Sequence, residues 1–166
     1  FKIVKPAHLP ATQEDLDAQE DLLLRIHRQL ERTTTTINRM RDLRAQLDGW
    51  ATRTREREGT ANVAAVAEAL RDKVLEVEKT LLVPDLRPGW ADNLNEGVRL
   101  LEKLAGLRPV VALGDYRPTD ASEAVFADLT GRIEAELARF DALLTEDVVA
   151  FNALASGAGL GAVIAS

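Results

Sequence analysis

Residues 126–154 read FADLTGRIEAELARFDALLTEDVVAFNAL, and this stretch determines the fold class. Its large apolar residues recur at steps of three or four: Phe126, Leu129, Ile133, Leu137, Phe140, Leu144, Val148, Phe151 and Leu154. At 3.6 residues per turn, that spacing places them along one side of a single long helix. Because such an apolar stripe must be covered by other helices, the sequence predicts an all-α protein.

The first of three further helices is predicted to run from Thr12 to about Trp50. Thr12 and Asp15 have the spacing of a capping box, although Asp stands where Glu or Gln is usual. The apolar residues of this helix follow a heptad pattern, which is typical of coiled-coil packing. One seam contains Leu16, Leu23, Leu30 and Ile37; the other contains Ile26, Met40 and Leu47 and is interrupted by Gln19 and Thr33.

The second and third helices are predicted to be little more than half as long. The second follows Thr60, a natural cap, and is stopped by Pro84. The third follows Asp92 and ends or kinks at Pro109, because proline cannot donate a backbone hydrogen bond. Its inward-facing residues are predicted to be Leu94, Val98, Leu101 and Ala105. The fourth helix, which holds the opening stretch, begins near Thr119.

These lengths predict a four-helix bundle in up-down-up-down order, with two long helices (the first and fourth) and two short ones (the second and third). Residues 1–11 are interpreted as the end of a preceding domain or a linker, since the chain begins with Phe1 instead of Met. Residues 12–155 form the predicted bundle, and residues 156–166 form a C-terminal tail.

The unequal helix lengths predict a partly uncovered stem. Two short helices can cover only the end of the bundle near Trp50 and Thr119, so residues 13–32 should pair with residues 138–155 as a two-helix stem. Its apolar surface is the predicted interaction surface, with the candidate residues Leu16, Leu23, Ile26, Leu144, Val148 and Phe151.

Composition narrows the classes of function. The chain of 166 residues contains 27 acidic and 21 basic residues, a net charge of −6, which disfavours nucleic acid as a partner. It contains no cysteine, so thiolate catalysis and cysteine-ligated zinc are excluded. No apolar run approaches the ~20 residues of a membrane-spanning helix, and no signal peptide is recognisable.

No catalytic, cofactor-binding or metal-binding residue is predicted. His8 and His27 lack the close spacing of a metal-binding motif. Glu136 and Asp147, the acids nearest the apolar stripe of the fourth helix, are interpreted as solvated neighbours of the core. The glycines at 157, 159 and 161 follow a helix instead of a strand, unlike those of a phosphate-binding loop.

Two features of the first helix involve arginine. Arg25, Arg28, Arg32 and Arg39 share one side of it, where they form either a solubilising surface or a binding surface for an acidic partner. Arg44 instead continues the first heptad seam into the core. It is predicted to form a structural ion pair, with the candidate acids Glu68, Asp72 and Glu123.

Several segments resemble the C-terminal helical region of bacterial sortilin-like, BNR-repeat β-propeller proteins, often labelled glycosyl hydrolase-like. They are residues 1–6, TQEDLDAQ (12–19), INRMRDLRAQLDGW (37–50), RPTDASEAVFADL (117–129) and EDVVAFNAL (146–154). The resemblance implies a preceding β-propeller and an extracytoplasmic location. It transfers no site residue to this chain, because the propeller itself is not part of the sequence.

Three hypotheses about function follow. The first is a non-catalytic helical accessory domain appended to a β-propeller, which binds that propeller, another protein or a second copy of itself. The second is a subdomain or lid of a propeller enzyme of the glycoside hydrolase-like class. The third is a free-standing adaptor that binds an acidic partner through the arginines of the first helix.

Overall fold

The computed structural model of the chain describes residues 10–84 and 97–163. The regular structure in these ranges is helical: α1 (Gln13–Thr54), α2 (Ala61–Leu81), α3 (Leu100–Val111), α4 (Asp120–Ala142) and α5 (Val148–Gly157). A π-helical turn, Leu143–Asp147, joins α4 to α5, so the three segments form one continuous fourth helix. The predicted all-α four-helix bundle with two long and two short helices is confirmed.

Local capping explains where the long helices begin. The Thr12 hydroxyl accepts a hydrogen bond from the Asp15 N–H at 3.1 Å, and the Asp15 carboxylate accepts one from the Thr12 N–H at 3.0 Å. The predicted capping box is therefore complete. Thr119 caps α4 by accepting from the Ser122 N–H at 3.1 Å. Thr60 precedes α2 as predicted, but its hydroxyl donates to the carbonyls of Thr54 and Arg57 instead of capping α2.

The first and fourth helices run parallel to each other. Arg25 of α1 contacts Glu123 near the start of α4, Arg32 contacts Glu134, and Arg39 lies 5.9 Å from the centre of the Phe140 ring. Residue numbers thus increase in the same direction along both helices. The helix directions therefore differ from the predicted alternation.

Helix α3 accounts for this difference. Its first turn lies beside the end of α2 at Thr80, while Val111 at its other end accepts a hydrogen bond from Gln19 near the start of α1. Helix α3 therefore continues in the direction of α2, and both run antiparallel to α1. The connection of residues 82–99 is long enough to avoid the chain reversal that a short turn would impose.

The predicted uncovered stem is wrong for the same reason. Residues 13–32 lie beside α3 and the first half of α4, not beside residues 138–155. The second half of the fourth helix lies against α2, where Asp147 pairs with Lys73. Residues 10–84 and 97–163 form a rod with three helices at every level: α1, α3 and α4 in one half, and α1, α2 and α5 with the end of α4 in the other.

The core face of α3 also differs from the prediction. The buried residues are Leu100, Leu104, Leu107 and Val111, whereas Val98 and Ala105 are exposed and Leu101 is half-buried. The predicted cap Asp92 and core residue Leu94 lie outside the described residues. Pro109 lies inside α3, which ends two residues later. The polar residues that interrupt the second seam of α1, Gln19 and Thr33, are buried in the core.

The C-terminal tail packs on the end of the rod near Trp50. Gly159 has a φ of +70°, which turns the chain after α5. Val163 is then buried, and its backbone N–H and carbonyl both bond the side-chain amide of Asn152. This tail covers the core end opposite to the start of α1.

Candidate interaction surfaces

A buried carboxylate joins α1 to α2. Glu78 is completely buried and accepts hydrogen bonds from Arg41 Nε at 2.8 Å and from Arg44 Nη1 at 2.5 Å. Two guanidinium groups thus replace the water that this carboxylate loses on burial. The predicted ion pair of Arg44 is present, but its partner is Glu78 and not Glu68, Asp72 or Glu123.

The sequence contains a signal for Glu78. It lies four residues after Val74 and three before Leu81, both of which are buried on the apolar side of α2. An acid at such a position must find a cationic partner or lose its charge. The contacts of Glu78 are structural: they hold two helices together and leave its carboxylate inaccessible to a substrate.

The predicted basic surface of α1 is largely used for contacts within the chain. Arg25 forms an ion pair with Asp21 at 2.9 Å and donates a hydrogen bond to Glu123 at 2.6 Å, and its guanidinium lies 5.1 Å from the centre of the Phe126 ring. Arg32 Nη1 and Gln29 Nε2 both donate to Glu134 at 2.8 Å. Arg28 is exposed, and Arg39 lies over Phe140. Arg25, Arg32 and Arg39 thus close the groove between α1 and α4.

The six predicted interaction residues do not form one surface. Ile26, Val148 and Phe151 are buried in the core, and Leu16, Leu23 and Leu144 are half-buried. The three from α1 lie in the α3 half of the rod, and the three from the fourth helix lie in the α2 half. The parallel arrangement of α1 and α4 separates the two sets.

Exposed apolar side chains are instead concentrated near the end of the rod where α1 begins. Val110, Leu113 and Tyr116 lie on the last turn of α3 and the loop that follows, and each is 49% exposed or more. The loop is fixed in place: Gln19 Nε2 donates to the carbonyl of Val111 at 2.7 Å and to that of Gly114 at 2.8 Å. We call Val110, Leu113 and Tyr116 the end surface.

The end surface is held by a second set of contacts at the start of α1. Arg117 donates to Asp15 at 3.0 Å and to Glu14 at 2.6 Å. Hydrogen bonds from the side chain and backbone of Thr12, followed by that from Arg117, lower the pKa of Asp15 from 3.8 to about 2. The two acids in turn raise the pKa of Arg117. The loop is thus fixed on both sides while its apolar side chains remain in solvent.

Gly114 shapes the loop at this end. Its φ of +79° lies in the left-handed region that disfavours residues with a side chain. A Cβ atom at this position would also lie 2.5 Å from the ring of Tyr116. Glycine therefore allows both the turn and the position of Tyr116.

A long open groove separates α4 from α2 and α3. It consists of three adjoining hollows of about 400, 320 and 560 Å³ that share lining residues. Glu76 lines the first and second hollows, and Lys103 and Arg132 line the second and third. We call the combined feature the α2–α3/α4 groove. Local sequence patterns do not predict this groove, because it depends on the direction of α3.

Histidine and acidic side chains are the potential metal ligands of this chain, which contains no cysteine. Within residues 10–84 and 97–163, no group of three or more His, Cys, Asp or Glu side chains could hold a metal ion. His27 is exposed, and His8 lies outside the described residues. Glu136 pairs with Arg139, and Asp147 pairs with Lys73. None of the helices in the described part of the chain is long and apolar enough to cross a membrane.

Comparison of the chain with protein-family models, with curated proteins and with solved structures finds no match. The geometry of the two surfaces above therefore provides the basis for a functional proposal.

Proposed function

We propose that this chain is a non-catalytic helical module that docks a neighbouring protein domain on its end surface. The observation that supports this proposal is the exposure of Val110, Leu113 and Tyr116 on a loop that Gln19 and Arg117 hold in place. Large apolar side chains on a fixed loop are typical of a contact surface, because a partner can bury them without ordering the loop first.

Connectivity favours a domain of the same polypeptide as the partner. Helix α1 begins at Gln13, and Arg117 holds the loop of the end surface against Glu14 and Asp15. A domain joined to this chain through residues 1–11 would thus emerge beside the end surface. The resemblance to the helical region of BNR-repeat proteins makes a β-propeller the first candidate for that domain.

The other hypotheses have less support. The adaptor hypothesis required free arginines on α1, and Arg25 and Arg32 are engaged with Glu123 and Glu134. No described feature favours a lid or subdomain of an enzyme. Docking through the end surface therefore remains the proposal that the geometry supports best.

Hydrogen–deuterium exchange can test the proposal on the natural protein that contains this chain. Amides of residues 110–117 should exchange more slowly in that protein than in the isolated chain, because docking excludes water from them. A double variant, Leu113→Asp with Tyr116→Ser, should remove this added protection. Both side chains are exposed, so the stability of the isolated chain should change by no more than about 0.5 kcal/mol.

Val149→Asp is the matched control, since Val149 is 60% exposed and lies on α5, in the other half of the rod. It should leave the protection of residues 110–117 unchanged. Equal exchange of these residues in the isolated chain and the natural protein would contradict the proposal. A natural protein without a domain before this chain would contradict it as well.

A further inference from the structure

The three long grooves between the helices of the rod differ in the number of ion pairs that cross them. Ion pairs of Glu78, Glu68 and Asp48 cross between α1 and α2, and those of Glu123 and Glu134 cross between α1 and α4. Across the α2–α3/α4 groove, the described residues form a single ion pair, Lys73–Asp147, at one end. This groove is therefore the one that the fewest ion pairs cross.

The α2–α3/α4 groove is elongated. The fourth helix lines the groove from Ala124 to Leu143, which corresponds to ~28 Å at 1.5 Å per residue. All three hollows are open to solvent, unlike the enclosed pockets that bury most of a small ligand. Among its apolar lining residues, Val98, Val125 and Ala142 are exposed and Leu143 is half-buried, whereas Val77, Leu100 and Leu129 belong to the buried core beneath.

Its charge is opposite to that of the whole molecule. Six basic side chains line it (Lys73, Lys79, Arg99, Lys103, Arg132 and Arg139), against two acidic ones (Glu76 and Asp128). Adding the pairing acids Glu136 and Asp147 at its margin still leaves six positive charges against four negative ones. The chain as a whole carries −6, so the groove concentrates positive charge in an acidic protein.

Two of these cations have no acidic partner among the described residues. Arg99 and Lys103 lie on consecutive turns at the start of α3, and both are exposed. Among the described residues, neither has a carboxylate within ion-pair distance, whereas the other four cations of the groove each pair with one acid. Such exposed pairs contribute little stability, so an incoming acidic group can replace them.

We infer that the α2–α3/α4 groove binds an amphipathic helix with an acidic polar side, supplied by another protein. A helix of about 19 residues matches the groove in length. Its apolar residues at spacings of three and four would contact the apolar floor, and its flanking acids would meet Arg99, Lys103 and Arg132. The surplus of positive charge would also attract an acidic segment during encounter.

This inference does not rest on the proposed function, since the groove and the end surface are separate. Val98 and Val125 belong to the groove, while Leu113 and Tyr116 belong to the loop beyond α3. The variant Leu113→Asp with Tyr116→Ser should therefore leave helix binding unchanged. Helix binding without docking would mean that only the docking proposal fails. Docking without helix binding would mean that only this inference fails.

The probe is a fluorescein-labelled synthetic peptide of about 19 residues, with leucines at helical spacings of three and four and glutamates at most other positions. Fluorescence anisotropy at low salt should show saturable binding to the full chain with one site. A peptide of the same composition but scrambled order should bind at least ~10-fold more weakly, because it cannot place its leucines on one side of a helix.

Two chain variants locate the binding site. Arg99→Glu with Lys103→Glu should weaken binding at least ~10-fold, since it replaces attraction by repulsion. The matched control is Arg28→Glu with Arg57→Glu, which changes the net charge equally at exposed positions outside the groove. This control should bind the peptide within about twofold of the unmodified chain, once the effect of the altered net charge on attraction of the peptide has been corrected for. Circular dichroism should show that all variants keep their helix content.

Several outcomes would overturn the inference. They include equal binding of the ordered and scrambled peptides, equal loss in the two double variants, and the absence of saturable binding. A DNA oligonucleotide that binds the groove more tightly than the peptide would assign a different occupant. A dimer of the chain that dissociates on Arg99→Glu with Lys103→Glu would assign the groove to a second copy and overturn the inference as well.

Discussion

At the scale of single residues, the buried carboxylate of Glu78 imposes the strictest requirement. It has no contact with solvent, and its charge is balanced by Arg41 and Arg44. Removal of either guanidinium leaves a buried charge with less compensation, and burial of a charge without a partner is strongly unfavourable. Arg44 is the more buried of the two arginines, so its loss should have the larger effect.

We expect Arg44→Ala to lower the free energy of unfolding by about 1–3 kcal/mol, measured by chemical denaturation. The combined variant Arg44→Met with Glu78→Leu should recover most of that loss, because it removes both buried charges and keeps the volume. Arg28→Ala, at an exposed position on the same helix, is the control and should change the stability little. If the losses of unfolding free energy in the separate Arg44→Met and Glu78→Leu variants add up to the loss in the combined variant, Glu78 and Arg44 do not interact.

Asp15 provides a pH-dependent contribution at the start of α1. Its folded pKa of about 2 lies below the ordinary value of 3.8, so ionised Asp15 stabilises the folded state. That stabilisation is complete above about pH 4 and should be lost as the pH falls from about 4 to about 2.

An NMR titration of the Asp15 carboxyl group should measure this pKa directly. Thr12→Ala should raise it towards the ordinary value. Arg117→Gln should raise it as well, because Arg117 lowers the pKa through both its hydrogen bond and its positive charge. An unchanged pKa in either variant would contradict the cause assigned to that residue.

At the scale of helices, the sequence specifies the long elements and their starts. The fourth helix follows from nine regularly spaced apolar residues, and Thr12 and Thr119 mark the first turns of α1 and α4. Gln19 and Thr33 show the limit of such patterns. Both interrupt the apolar seam of α1, yet both are buried, because Gln19 bonds backbone carbonyls of Val111 and Gly114, and Thr33 bonds the carbonyl of Gln29.

The direction of α3 could not be predicted from local patterns. Periodicity defines which side of a helix is buried, but it does not define which neighbour covers that side. The 82–99 connection permits either a reversal or a continuation, and only the contacts of Val111 and Thr80 distinguish them. Because the two surfaces proposed for binding depend on α3, neither could be located before its direction was known.

The π-helical turn likewise lacks a sequence signal. Val148 donates to the carbonyl of Leu143 across five residues, which inserts one extra residue into the helix. Beyond the turn, Val148 and Phe151 are buried in the core, and within it Asp147 reaches Lys73 of α2. The turn thus adjusts the register of the fourth helix where it already lies beside the middle of α2.

At the scale of the whole molecule, the rod consists of two halves with unequal cores. The half that contains α2 buries Met40, Leu47, Val74, Phe140 and Phe151, and the tail adds Val163 at its end. In the other half, α3 takes the place of α2 and is only 12 residues long, with Leu104 buried at its centre. Both proposed binding surfaces lie wholly or partly in this smaller half, where a partner can add the most burial.

This asymmetry predicts that the α3 half opens more readily than the α2 half. Local opening requires less free energy where fewer apolar contacts are broken. Native-state hydrogen exchange should therefore give α3 amides an opening free energy roughly 1–3 kcal/mol below that of α2 amides. Leu104→Ala should lower the protection of α3 by about 2–5 kcal/mol, because Leu104 is fully buried.

The same substitution separates local from global opening. If the halves open independently, α2 amides should keep most of their protection in Leu104→Ala, whereas Leu47→Ala in the α2 half should reduce the protection of α2 amides and leave that of α3 amides largely unchanged. Leu47 provides a matched control, since it is the same residue type and is also fully buried. Equal opening free energies for α2 and α3, lowered together by Leu104→Ala, would instead mean that the rod unfolds as one cooperative unit. The surfaces around α3 would then be as rigid as the rest of the molecule, and a partner would bind there without the cost of ordering a less stable half.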